Sequence, residues 1–287
     1  MRSIEDTIQK IKSLPVLPDM AHKILQIADD PNVSIVRLAE EIQKDAAITV
    51  RVLEVVNSSF YALRQEVTSV QQAITLLGVQ HVRNLVMTLI VISRFRDTPD
   101  ALLRLSDFWN HSLGVALISQ VFAKKMGYKK HAELYLAGLL HDIGKLVLQA
   151  YYPEDLQHVK QYLDEHGGSM YDAEKAVLGF SHADLGAGMA QKWKLPQILQ
   201  MGIQYHHDCV ESPDVLFSAL LQASNQLTQS RLYAVYGDQN IDVVFADEPC
   251  WKIIFKTYKS SMDMERFLLE MDDEIEKAKE LVQSARS

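Results

Sequence analysis

Apolar positions recur along this chain at spacings of three and four. Ile4, Ile8 and Ile11 open the pattern, and Pro15 and Pro18 interrupt it. Met20, Ile24, Leu25 and Ile27 form the next face, closed by Asp30-Pro31-Asn32. Ser34 stands where an N-cap is wanted, ahead of Ile35, Leu38, Ala39 and Ile42. Ile48, Val52, Val55 and Val56 give another face. Val70, Ile74 and Leu77 lead to Gly78, a helix-ending residue, and 79–92 reads as a buried helix. Asp97-Thr98-Pro99-Asp100 is the clearest boundary. Beyond it the period predicts helices at 101–126, 131–140, 154–165, 169–178, 181–192, 195–206 and 214–230. Val243-Val244-Phe245 suits a short strand or a packed loop. Near the end, Met264, Leu268, Met271, Ile275, Ala278 and Val282 make a heptad stripe shorter than a coiled coil needs. A terminal helix packed on the body is the simpler reading, and a homodimer seam is the alternative.

Composition supports the helical lean. Gly (12) and Pro (8) together are sparse among 287 residues, so elements run long. That length corresponds to about two units at roughly 150 residues each. With 48% apolar and 23% charged residues, the chain has a soluble globular profile. The net charge of −8 gives no general pull towards nucleic acid or anionic lipid. Lys124, Lys125, Lys129 and Lys130 make one local basic spot, read as a solvated helix end. The first residues, Met1-Arg2-Ser3-Ile4-Glu5-Asp6, carry acid early and do not resemble a secretory signal. The apolar stretch near Leu85–Ile92 is far short of the ~20 residues that span a bilayer. Cys209 and Cys250 stand alone, which fits a reducing, cytoplasmic setting.

The strongest chemical signal is Gly138-Leu139-Leu140-His141-Asp142-Ile143-Gly144-Lys145. The pair offers an imidazole and a carboxylate from adjacent positions. Consecutive helical residues point about 100° apart, so His141 can hold one metal while Asp142 reaches between two. Gly144 permits a close approach, and Lys145 can serve a phosphate. Asp107 and His111 are four apart and share a helix face. His182 opens another predicted helix, and His206-His207 follow a third. Five of the ten histidines thus fall in apolar-flanked helical segments, where a buried imidazole needs a hydrogen-bond partner or a metal. No nucleophile elbow, dinucleotide fingerprint or Walker loop is present.

The second half resembles the HD superfamily of metal-dependent phosphohydrolases. The first half resembles the HDOD family, the HD-related output domain of bacterial signalling proteins. The resemblance is carried by Leu14-Pro15-Val16-Leu17-Pro18, Asp45-Ala46-Ala47-Ile48-Thr49, Asn57-Ser58-Ser59-Phe60-Tyr61 and Ala73-Ile74-Thr75-Leu76-Leu77-Gly78. Phe108-Trp109-Asn110-His111-Ser112 and Trp193-Lys194-Leu195-Pro196 continue it, so that it covers about 15–230. Asp45-Ala46 stands where the family usually has Asp-Pro. The resemblance implies an all-α fold, with an N-terminal helical HDOD subdomain (1–98), an HD-like helical core (99–232) and a C-terminal extension with a terminal helix (233–287).

It also implies a ligand set. His111, His141 and Asp142 match the first three ligands of the HD pattern. The later acid should fall within 220–225, where this chain has Asn225. Asp107, His182, His206 and His207 look like the added ligands of the HD-GYP branch. The Gly-Tyr-Pro signature itself is absent after His206-His207, where the chain runs Asp208-Cys209-Val210-Glu211-Ser212-Pro213. Two dications bring four positive charges. With Asn225 only Asp107 and Asp142 remain to oppose them, and an amide neutralises nothing. One ion, weak binding or none is therefore expected rather than a stable pair, and the histidines favour Fe, Mn, Zn or Ni over Mg or Ca.

The resulting expectation is a bacterial, cytoplasmic signalling module that is not an enzyme. It would bind a protein partner or a nucleotide second messenger through an inherited HD-type site, without membrane or direct nucleic-acid contact. The alternative is a metal-dependent phosphohydrolase acting on a nucleotide or cyclic nucleotide, with Lys145 steadying the phosphate.

Overall fold

The protein is described here from a computed structural model, over residues 4, 7–8, 17–30, 32–96, 101–231, 248–258 and 264–286. All regular elements among these residues are helical, as the apolar spacing predicts. Residues 97–100 and the 243–245 segment lie outside the described residues. The chain divides into two compact units, one formed by 15–96 with 276–287 and the other by 1–14 with 97–275.

The smaller unit contains α1 (Asp19–Ala28), α2 (Ile35–Gln43), α3 (Ala46–Val56), α4 (Val70–Leu77) and α5 (Val79–Ile92). Its helices start where short polar side chains take up free amides. Ser34 accepts from Arg37 N, Asp45 from Ile48 N at 3.0 Å, and Ser69 from Gln72 N at 3.2 Å. Gly78 has φ +88°, which lets α4 stop and α5 start in a new direction with that single residue between them. Asn57 closes the 58–66 loop by imitating a paired strand. Its amide donates to Val67 O and accepts from Val67 N, both at 2.8 Å. Further along, Tyr61 OH lies 2.7 Å from His81 Nε2. Two of the quoted HDOD motifs thus serve turn and loop geometry. In α5, Val82 and every residue from Leu85 to Ile92 are buried, with Arg83 paired to Asp29 at 2.7 Å.

The larger unit contains α6 (Leu105–Lys125), α7 (His131–Leu140), α8 (Ile143–Tyr151), α9 (Pro153–His166), α10 (Met170–Leu178), α11 (His182–Lys192), α12 (Gln197–Gln204), α13 (Val215–Arg231) and α14 (Pro249–Tyr258). The sequence pattern placed α7 at 131–140 but did not foresee α8 directly after it, nor α14. α6 is the central column, with Phe108, Trp109, Leu113, Ile118 and Phe122 all buried. A glycine sets its crossing with α7, since a Cβ on Gly138 would lie 2.8 Å from the Ala116 backbone.

The terminal helix, α15 (Met264–Arg286), begins in the larger unit and ends among residues assigned to the smaller one. Ala278 and Val282 of the heptad stripe are buried, as a helix packed on the body requires. The side chains of Met264, Leu268, Met271 and Ile275 are outside the described set. No described helix is long and apolar enough to cross a membrane. The basic spot is partly neutralised, because Lys125 pairs with Glu270 and Lys130 with Asp214.

Candidate metal centre

Two close packings bring the histidines together. The Gly138 crossing places the N-terminal part of α6, with His111, beside the end of α7, with His141. Gly144 does the same for the other half: a Cβ there would fall 2.0 Å from His182 O and 2.9 Å from Gly186 N. The start of α8 therefore lies directly on the start of α11.

The His-Asp pair does not lie within one continuous helix. His141 ends α7 and Asp142 is the N-cap of α8. The Asp142 side chain makes no capping bond, so the carboxylate is left for the site. The positive end of α8 favours its charge. Ser181 starts α11 with a reciprocal capping box, accepting from Asp184 N at 3.2 Å while Asp184 accepts from Ser181 N at 2.9 Å.

Asp142 is the hub. Its Oδ1 lies 3.1 Å from His182 Nε2 and 3.5 Å from His206 Nε2. Its Oδ2 lies 3.4 Å from His141 Nε2, 3.7 Å from His111 Nε2 and 2.9 Å from Lys145 Nζ. His182 Nε2 and His207 Nε2 are 3.0 Å apart, and His111 Nε2 and His141 Nε2 are 3.2 Å apart. Two groups of ligand atoms result, Asp142–His182–His206–His207 and His111–His141–Asp142, each within 4.8 Å.

The remaining ring nitrogens are pinned from behind. His141 Nδ1 lies 2.7 Å from Gly138 O, and His206 Nδ1 lies 2.7 Å from Ile203 O. A nitrogen at that distance from a carbonyl is a donor, so the neutral ring turns its Nε2 lone pair inward. His182 Nδ1 lies 2.6 Å from Glu174 Oε2, forming a carboxylate–histidine pair. Tyr171 stacks on His207 with ring centroids 4.5 Å apart.

Electrostatics follow from these contacts. Desolvation, reinforced by His141, lowers His111 to about 3. Desolvation likewise lowers His206 to about 4, against the pull of the nearby Asp142 carboxylate. Burial acts against charge on His182 too, but Glu174 and Asp142 outweigh it and raise the ring to about 9. Burial works against the Asp142 anion, yet His141, Lys145 and the adjacent His182 ring hold the carboxyl well below its usual range.

His111, His141, Asp142, His182, His206 and His207 are thus brought together. Asn225 is buried beside His111. Lys145 is buried and paired to Asp142 rather than open to an incoming phosphate. Asp107 stands apart from both groups: it pairs with Arg104 at 2.7 Å, and 37% of its side chain is exposed. One helical turn separates it from His111, and the ~6 Å rise carries it outward along α6. The sequence reading missed Glu174 and Tyr171. Glu174 had a signal, since it shares the buried face of α10 with Met170 and Ala173.

The donor set fits a transition-metal ion. Imidazole nitrogens converge with one carboxylate, and buried Asp142 Oδ1, His206 Nε2 and Asn225 Oδ1 have no hydrogen-bond partner among the described residues. His182, His206, His207 and Asp142 would hold the ion, which would supply Lewis acidity to a bound ligand.

Comparisons with known proteins agree with this architecture. The HDOD domain family matches residues 14–209. A crystal structure of an HDOD domain protein of unknown function from Geobacter sulfurreducens superimposes with TM-score 0.85 at 26% identity, covering 98% of this chain and 96% of that one. A candidate phosphohydrolase from Shewanella amazonensis SB2B shares the fold with TM-score 0.76 at 24% identity, with 97% of each chain covered. An uncharacterized protein of Treponema pallidum (strain Nichols) is 25% identical over 206 residues, which are 71% of this chain but only 40% of that protein's length. With the motifs, the helical architecture and the histidine cluster all of one kind, the chain belongs to the HDOD domain family.

Proposed function

We propose that this chain is a regulatory HDOD module of a bacterial, cytoplasmic signalling pathway. It binds a protein partner or a nucleotide and does not turn over phosphoesters. The observation that supports this most is the poverty of anions among the ligand atoms themselves. Among the described residues Asp142 is the only carboxylate of the two groups, with Glu174 behind His182 rather than in the set, Asn225 stands where an acid is expected, and Lys145 already pairs with Asp142. Two dications would leave much of their charge unneutralised in a buried site.

The test uses protein purified without chelator and then loaded with Mn or Fe. Cyclic and linear nucleotides and bis(p-nitrophenyl) phosphate serve as substrates. Turnover should match that of a His141→Ala variant. A metal-dependent rate that vanishes in His141→Ala would overturn this reading.

The alternative, a metal-dependent phosphohydrolase, draws on the completeness of the histidine cluster and its pinned rings. In that case His111, His141, Asp142, His182, His206 and His207 hold the metal and Lys145 steadies the phosphate.

A further inference from the structure

We propose that Lys145 fills the place of a second metal ion, so that the centre takes one transition-metal ion on the Oδ1 side of Asp142. The proposal rests on the reading of this cluster as a metal centre and specifies its stoichiometry.

The two oxygens of Asp142 have different company. Oδ1 faces His182 Nε2 at 3.1 Å and His206 Nε2 at 3.5 Å, and it makes no directed hydrogen bond. With His207 this side offers three imidazoles and one carboxylate oxygen. Two of those rings are fixed from behind by Glu174 and Ile203 O. It is a prepared site for one ion.

Oδ2 is already engaged. Lys145 Nζ donates to it at 2.9 Å, from one helical turn further along α8. His111 and His141 complete this side, with Asn225 beside His111 in place of an acid. Lys145 is fully buried, so its ammonium cannot withdraw into water. An ion bound to Oδ2 would meet that ammonium a few ångströms away in surroundings that screen poorly. Removing the carboxylate at 225 and keeping the lysine act in the same direction.

Stoichiometry decides the matter independently of activity. Wild type, Asn225→Asp and Lys145→Met/Asn225→Asp would be incubated anaerobically with excess Co(II) and passed through a desalting column. Metal per chain is then measured by plasma mass spectrometry, and folding by circular dichroism. Wild type and Asn225→Asp should each retain one equivalent, and the double variant two. The Co(II) paramagnetic resonance signal of wild type should integrate to one uncoupled ion per chain.

Two equivalents in wild type or in Asn225→Asp would overturn the proposal, because the lysine would then block nothing. One equivalent in a folded double variant would overturn it as well. If the double variant does not fold, Asn225→Asp still decides, since it restores the acid and leaves only Lys145 as the barrier. Zero equivalents in wild type would remove the metal centre itself. Phosphoester turnover would instead overturn the regulatory reading and leave the count untouched.

Discussion

Gly144→Ala sets a local gain against a packing clash. Helix propensity alone favours alanine by at most about 1 kcal/mol. Against that, the added Cβ would sit 2.0 Å from His182 O, 2.8 Å from His182 C and 2.9 Å from Gly186 N. A carbon needs roughly 3.4 Å from an oxygen, so α8 and α11 must separate by about 1.4 Å. All three atoms are backbone, and no flexible side chain can yield. Overpacking of this kind costs about 1–3 kcal/mol even when side chains can shift. The clash therefore wins, with a net loss of about 2 kcal/mol or more. For a protein of this size that lowers the thermal midpoint by roughly 4–8 °C. Metal retention should fall with it. His182 Nε2 and Asp142 Oδ1 are 3.1 Å apart across the same contact, and ligand positions tolerate only ~0.2 Å. Gly186→Ala is the control, because its Cβ meets chiefly the Ile203 methyl at 2.9 Å, which can move. Urea and thermal unfolding of both variants supply the numbers. A Gly144→Ala protein as stable as wild type, or more so, would refute the reasoning.

Three further outcomes are expected. Glu174→Gln should weaken metal retention about 10–100-fold in a chelator competition, since the amide can still accept from His182 Nδ1 but no longer supplies the charge that raises the ring's basicity. Asn57→Ala should destabilise by about 1–3 kcal/mol in urea unfolding, because both bonds to Val67 disappear and leave a loop amide and carbonyl without their partner. Burial raises Cys209 to about 11 and pushes Cys250 up as well, so both are protonated thiols at pH 8. Native protein should then react with a thiol-specific disulfide reagent about 100-fold more slowly than denatured protein, which a stopped assay in guanidinium checks.

Much of the helix pattern was legible because amphipathic faces and caps are local. Ile35 to Ile42 behind Ser34, and Val70 to Leu77 before Gly78, each carry their start or stop within a few residues. The end of α7 at Leu140 was legible, but α8 directly after it was not. Gly138 to Leu148 is apolar on nearly every side, so no change of period marks where α8 begins. The turn there follows from tertiary contacts, with α7 held on α6 at Gly138 and α8 on α11 at Gly144. Asp107 failed in the opposite sense. Sharing a helix face with His111 is a statement about angle, while reaching a common metal also requires the same height along the axis. Arg104, three residues away, holds Asp107 at the exposed end.

The electrostatic character of the site depends on groups that spacing could not reveal. Read as ligands alone, the cluster is five imidazoles and one carboxylate. Read with its supports, it holds a second buried acid behind His182 and a buried ammonium on Asp142. Glu174 makes the His182 end of the cluster welcome positive charge, whereas Lys145 makes the His141 end resist more of it. The asymmetry comes from two helices that carry no metal-site histidine before position 182: α10 contributes Glu174 and α8 contributes Lys145. Both residues occupy positions where an apolar side chain would pack, and a buried charge that is paired in this way is costly to leave alone. Their pairing therefore ties the polarity of the centre to the packing of the unit. A substitution at either position is therefore expected to change how many Co(II) ions the chain retains, with every histidine of the cluster still in place.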